Sequence, residues 1–340
     1  MKKLMYSTIN ISSDCGHIAP IKFTPLYKRK IWGGEKILPF KGLPATENHI
    51  GESWEISGVK GDETTVNGGP FDGMQMSELT NLLKERLVGK RNYEVFGNEF
   101  PILVKFIDAA KDLSVQVHPN DAMARKYGFP NGKSEMWYVV STNHKAHIIC
   151  GFKKDISPAE YKKAVEDNTL LDMLQDHEAH TGDCFFIPAG RVHSIGCGTF
   201  LVEIQQTSDL TYRIYDYNRR DENGKLRELH TDLAAEAINF KVENNYRTQY
   251  TPQTDSPVKL IDCNVFKTKI YELTKPYDAD YSSTDSFVIY VAFGGSATLT
   301  DDKGSTVALS MGESILIPAE TDRIKITPQS ENFKFLETHL

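Results

Sequence analysis

Closely spaced cysteine pairs are missing from this 340-residue chain. Its five cysteines stand at 15, 150, 184, 197 and 263, with irregular spacing and no C-x-x-C. That pattern argues against a disulfide framework and a cysteine-built zinc site, and it fits a reducing cytosol. No apolar run reaches membrane-spanning length. The N-terminal stretch MYSTINISSDCGH has no unbroken apolar core and does not read as a signal peptide. Positive charge is short as well: 39 Lys and Arg face 46 Asp and Glu, a net charge of -7 that argues against a nucleic-acid backbone as partner. A phosphorylated small molecule stays open, because a few local cations can bind it against the overall charge. We expect a cytoplasmic protein with no membrane and no nucleic-acid partner, either a monomer or a weak homodimer.

What the chain has is length for a large core and ordinary globular composition, 40% hydrophobic and 25% charged. Short β-rich runs recur: PILVKFIDA (101–109), LSVQVHP (113–119), EMWYVVS (135–141), KAHIICG (145–151), DCFFIPA (183–189) and TFLVEIQQT (199–207). Their spacing favours a mainly β fold of antiparallel sandwiches or barrels. Helices are expected near Ser77–Leu87, from the capping box at Ser157-Pro158-Ala159-Glu160, and near Leu229–Phe240. Asn120 is placed to cap a further short helix.

The segment Gly182–Gly196, GDCFFIPAGRVHSIG, carries Gly182, Pro188, Gly190 and His193 at the spacing of a motif that resembles the second conserved motif of the cupin family. It puts His193 at the start of a strand facing into a small barrel. A second copy follows at Gly312–Arg323, where Glu320 replaces Gly190 and Arg323 replaces His193. We read two jelly-roll, cupin-like barrels with a few inserted helices: an extension over residues 1–20, a catalytic domain over 21–245, and a C-terminal barrel over 246–340 that has no metal ligands.

Strand periodicity sharpens the site. In VQVHP, Ser114, Gln116 and His118 share one face, with Val115 and Val117 on the other. In GKSEMWY, Lys133, Glu135 and Trp137 share a face. Polar residues directed into a barrel are expensive to bury unpaired, and a cation removes that cost. Gln116, His118, Glu135 and His193 together make a nitrogen and oxygen donor set that suits Zn²⁺, Fe²⁺, Mn²⁺ or Co²⁺. Further on, Glu203 and Gln205 stand in phase on one strand. Arg213 reads as a clamp for phosphate or enediolate, or as the partner of Asp209 or Glu203 in an ion pair, or both.

The motifs KIWGG, GESWEIS, LSVQVHP, GKSEMWY, GDCFFIPAGRVHS and QQTSDLTYRIYDYNR occur in the order found in type I mannose-6-phosphate isomerases, and the chain resembles the short bacterial form of that family from about Lys22 onward. The resemblance implies one divalent metal, typically zinc, held by Gln116, His118, Glu135 and His193. It implies a phosphorylated hexose substrate, with Arg213 and Lys133 in the active site and Lys105 and Ser114 in the substrate pocket. The implied chemistry is aldose–ketose isomerisation of mannose 6-phosphate and fructose 6-phosphate through a cis-enediol. Glu203 or a metal-bound hydroxide is then the candidate base, and Asp209 a group that orients Arg213. Two other readings accompany it: a cupin dioxygenase, and a non-catalytic phosphosugar-binding protein on the same scaffold.

Overall fold

A computed structural model describes residues 16–220 and 224–340; most of the expected N-terminal extension, Cys15 included, lies outside them. Among the described residues the strands form two sandwiches. In the first, a six-stranded sheet contains strands Leu26–Gly34, Ile50–Ile56, Ile102–Asp108, Glu135–Thr142, Cys184–Ile187 and Thr199–Gln206. It faces a five-stranded sheet that includes Val115–Val117, His147–Phe152, His193–Ile195 and Tyr212–Tyr215. In the second, a seven-stranded sheet faces a four-stranded one made wholly of C-terminal strands.

Alternation along the strands decides what each face buries. Trp137 and Val139 point into the first sandwich with Phe185, Ile187 and Leu201. Met136 and Tyr138 point the other way, into a large core shared with Val202, Ile289, Val291 and Leu316. The two large sheets therefore pack back to back. Val115 and Val117, expected to face away from the barrel interior, do so, but they are not on the surface. They are roofed by helices Pro158–Glu166, Leu170–Met173 and Thr231–Ala237. The first of these starts at the anticipated capping box, with Ser157 and Glu160 satisfying each other's backbone N–H.

Two expectations change. The helix expected over Ser77–Leu87 is Met76–Leu83 followed by the separate turn Glu85–Val88, because Lys84 takes a left-handed backbone, φ 51°, that breaks the helix. The N-terminal strand Ile21–Thr24 pairs with Ser314–Ile317 and so joins the sheet of the C-terminal sandwich. The chain thus enters through the second sandwich before it builds the first.

The repeat is visible in register. Ile187 pairs with Glu135 and Phe185 with Trp137 in the first sandwich, as Ile317 pairs with Val288 and Ile315 with Tyr290 in the second. Val288 thus stands where Glu135 does, and Arg323 where His193 does. Glu320, at the Gly190 position, instead pairs with Arg86 at 2.6 Å and accepts the Ile18 N–H at 2.8 Å. A farther row is retained. Trp137–Glu203–Lys105 runs across the first sheet, and Tyr290–Glu337–Lys269 across the second.

Candidate metal centre and active site

Two sheets bring the candidate ligands together. His193 lies opposite Gln116 in register, and Gln116 opposite Arg213, so these three share one face of the five-stranded sheet. Glu135 lies opposite Gln205 on the six-stranded sheet. Local backbone contacts fix the rest. Gly190, at φ 90°, turns the chain before His193, and its N–H donates to the His118 carbonyl at 2.8 Å. A Cβ there would sit 2.9 Å from the Ala237 carbonyl oxygen. Gly132 passes the Pro119–Asp121 backbone so closely that a Cβ would meet it at 2.5 Å. Lys133 N–H then donates to the Pro119 carbonyl at 3.0 Å, which locks the GKSE segment to the end of the His118 strand.

His118, Glu135 and His193 are buried, and each offers a donor atom within 4.8 Å of the others. Nδ1 of His118 donates to the Leu210 carbonyl at 3.0 Å, and Nδ1 of His193 to the Arg191 carbonyl at 2.8 Å. A carbonyl only accepts, so both Nδ1 atoms carry the proton and both Nε2 atoms present lone pairs. Those two Nε2 atoms are 3.1 Å apart. The Glu135 oxygens lie 3.5 Å from His118 Nε2 and 3.3 Å from His193 Nε2. Burial, with Lys133 adding to it, keeps both imidazoles neutral; the His193 pKa falls to about 3 and that of His118 drops well below the ordinary value. One Glu135 oxygen is paired with Lys133 and the other has no hydrogen-bond donor among the described residues, while burial, then the nearby Glu203, pushes its carboxyl pKa up. Two lone pairs and a carboxylate aimed at one point repel one another unless a cation sits among them. The donor set therefore fits a divalent metal, and the chemistry of two imidazoles and a carboxylate suits the zinc class.

Around this point the charges alternate. Lys133 Nζ is 2.9 Å from Glu135 and 4.0 Å from Glu203. Glu203 is 2.9 Å from Lys105 and accepts the Trp137 indole N–H at 2.8 Å. Burial opposes its ionisation, but Lys105 and Lys133 outweigh it and hold its carboxyl below the ordinary range. Lys105 in turn is buried over the Trp54 ring, its charge held by Glu203, Glu52 and Asp209 against the cost of burial.

The other expected residues fall as follows. Exposure rises from buried Glu135 through half-buried Gln116 and Arg213 to exposed Asp209, so the mouth lies on the Arg213 side. Arg213 makes no ion pair with Asp209 or Glu203 among the described residues, because Glu203 is already held by Lys105. Its Nη1 donates to the Glu228 carbonyl at 3.0 Å, and its buried Nε has no partner. Burial, then the neighbouring Arg227, lowers its pKa. Ser114 is buried ahead of strand Val115–Val117, at the end away from His118. Sequence reasoning missed two groups. Asp216 ties Arg219 and Arg227 together beside Arg213, and Arg227 belongs to no pattern that marks it. Gln205, noted only for its phase, buries an unpartnered Oε1 while its amide N–H groups donate to Gln206 and Ser208 carbonyls at 2.8 and 2.7 Å.

Known proteins share this arrangement's sequence and fold. The family described as phosphomannose isomerase type I, catalytic domain, matches residues 21–155. The mannose-6-phosphate isomerase ManA of Bacillus subtilis (strain 168) is 35% identical over 258 residues, which cover 75% of this chain and 80% of that protein. The mannose-6-phosphate isomerase of Streptococcus mutans serotype c is 35% identical over 214 residues, 62% of this chain and 65% of its own. A crystal structure of the mannose 6-phosphate isomerase from Bacillus subtilis superposes with a TM-score of 0.83 at 28% identity, covering 95% of this chain and all of that one (100%). By sequence over most of its length and by fold over nearly all of it, the chain belongs to the type I phosphomannose isomerase family.

Proposed function

We propose that the chain interconverts mannose 6-phosphate and fructose 6-phosphate, and that Gln116, His118, Glu135 and His193 hold one Zn²⁺ for the reaction. The observation that carries this reading is the pair of neutral imidazole lone pairs 3.1 Å apart with a buried carboxylate beside them that Lys133 only partly satisfies. When bound, the cation supplies Lewis-acid stabilisation of charge on the sugar oxygens. Isomerisation removes the proton from C2 of the open-chain aldose and returns it at C1. Negative charge develops on the two adjacent oxygens meanwhile. Lys133, between two carboxylates, is the group placed to hold or pass a proton there. Arg213, with no carboxylate bound directly to its guanidinium, meets the anionic substrate at the mouth.

Glu203 we assign to positioning. A base works best with a pKa near the working pH, and Lys105 and Lys133 hold Glu203 below that range. The same Glu–Lys pair recurs at 2.9 Å as Glu337–Lys269 in the barrel without the ligands, so it belongs to the architecture as well as to the site. Lys105, expected to meet substrate, is spent on the same pair. Glu203→Gln keeps an acceptor for Trp137 and is expected to lower kcat about tenfold. A loss above about 100-fold with metal intact would make Glu203 the base instead. We further assign catalysis to residues 21–245, whose first strand Ile21–Thr24 is lent to the C-terminal sheet, and a supporting role to 246–340, in a cytoplasmic enzyme that works as a monomer or weak homodimer.

A coupled assay for fructose 6-phosphate formed from mannose 6-phosphate tests the assignment. Turnover abolished by chelator is expected. Phosphosugar binding without turnover would favour a non-catalytic protein, and oxygen consumption without isomerisation a dioxygenase.

A further inference from the structure

The five-stranded sheet carries a second cluster of metal-ligating side chains at its other end. Asp112 precedes the Gln116 strand, His147 opens the strand that pairs with His193–Ile195, and Cys197 follows that strand. The carboxylate, imidazole and thiol donors all lie within 4.8 Å of one another, with His147 Nε2 3.6 Å from Asp112 Oδ1. Cys197 is four residue steps beyond His193, so the cluster sits roughly 13 Å along the chain from the first centre at about 3.3 Å per extended residue.

Several contacts shape it for a cation. His147 Nδ1 lies 3.3 Å from the Lys145 carbonyl, which can only accept, so the proton is on Nδ1 and the Nε2 lone pair faces Asp112. The backbone N–H of Cys197 donates to Asp112 Oδ1 at 2.7 Å and orients the carboxylate. Gly196 lets the ring lie against the chain: a Cβ there would meet His147 Nδ1 at 2.5 Å. All three side chains are half-buried, which leaves a coordination position open to solvent. A tetrahedral ion with bonds of about 2.0–2.3 Å needs its donors about 3.3–3.8 Å apart, within a side-chain rotation of what is found.

We propose that Asp112, His147 and Cys197 form a second divalent-cation site, selective for thiophilic ions of the Zn²⁺ and Co²⁺ class, that ties three loops at the rim of the first barrel. As the sulfur–metal bond forms, the S–H bond breaks, its proton goes to solvent, and no electron is transferred. Because the thiol releases its proton on coordination, loading strengthens as pH rises. With three protein donors and one open position the ion exchanges readily. Mg²⁺, which prefers six oxygen ligands, does not compete.

Cobalt distinguishes the two sites, because the first has no sulfur. The full-length protein as isolated is titrated with Co²⁺ and followed by near-ultraviolet absorption. A thiolate-to-cobalt charge-transfer band is expected in the wild type and in His193→Ala, is displaced by Zn²⁺ but not Mg²⁺, and is absent in Cys197→Ser. His147→Ala should weaken Co²⁺ binding at least tenfold. No such band in the wild type, or a band that persists in Cys197→Ser, overturns the proposal; loss of the band in His193→Ala would also do so, by assigning it to the first centre.

Discussion

His193→Ala is expected to abolish metal retention at the His118–Glu135 centre and to lower isomerase turnover by about a thousandfold or more. The one stabilising polar contact of its ring that needs no cation is the Nδ1–H donated to the Arg191 carbonyl at 2.8 Å. Without metal, the His193 Nε2 lone pair opposes that of His118 at 3.1 Å and the Glu135 carboxylate at 3.3 Å. Removing the ring relieves that repulsion while it costs packing against Trp137, whose ring centroid is 5.3 Å away. The two effects oppose each other, so the variant should fold. A bound ion also stabilises the native state by linkage. In a Cys197→Ser background, which removes the second cluster, chelator should therefore lower the melting temperature, and adding His193→Ala should leave it unmoved. A His193→Ala, Cys197→Ser double variant that keeps a full equivalent of metal would remove His193 from the ligand set. The thousandfold figure follows from the several kcal/mol a Lewis acid contributes to a charged transition state.

Arg213→Ala is the second large effect. Its guanidinium stands at the mouth in register with Gln116, with Nε unpartnered and with Arg227 and Arg219 close enough to lower its pKa. Asp216, the carboxylate beside these three guanidiniums, is taken up by Arg219 and Arg227, which leaves Arg213 short of an anion that the substrate supplies. Loss of one such group should cost about 10²–10³ in kcat with the metal still bound, as for a single donor to developing negative charge. Arg213→Lys should recover little, because an ammonium lacks the planar fork. Wild-type turnover in Arg213→Ala would exclude it from the reaction, and metal loss would mean it acts on the centre rather than on substrate.

The candidate metal donors were legible because strands alternate. VQVHP and GKSE place polar residues on the faces where a core needs apolar ones, and the Gly182–Gly196 turn marks a third segment. The same logic read the repeat. What alternation cannot supply is which strands meet. That Ile21–Thr24 crosses to the C-terminal sheet depends on a partner almost 300 residues away, Ile21 opposite Leu316. That Val115 and Val117 lie under helices depends on segments with no local signal in those strands. Which of the readings left open for Arg213 holds depends on the same thing: Lys105 lies directly across the sheet from Glu203 and takes it up. The Asp112, His147 and Cys197 cluster has no spacing at all to announce it, since each residue comes from a different loop or strand end.

The most direct test strips the protein of metal and measures mannose 6-phosphate turnover as zinc is returned. Activity should be lost on stripping and should rise linearly to a plateau at one equivalent, with His118→Ala, Glu135→Gln and His193→Ala failing to respond. Full turnover by metal-free protein would contradict the account.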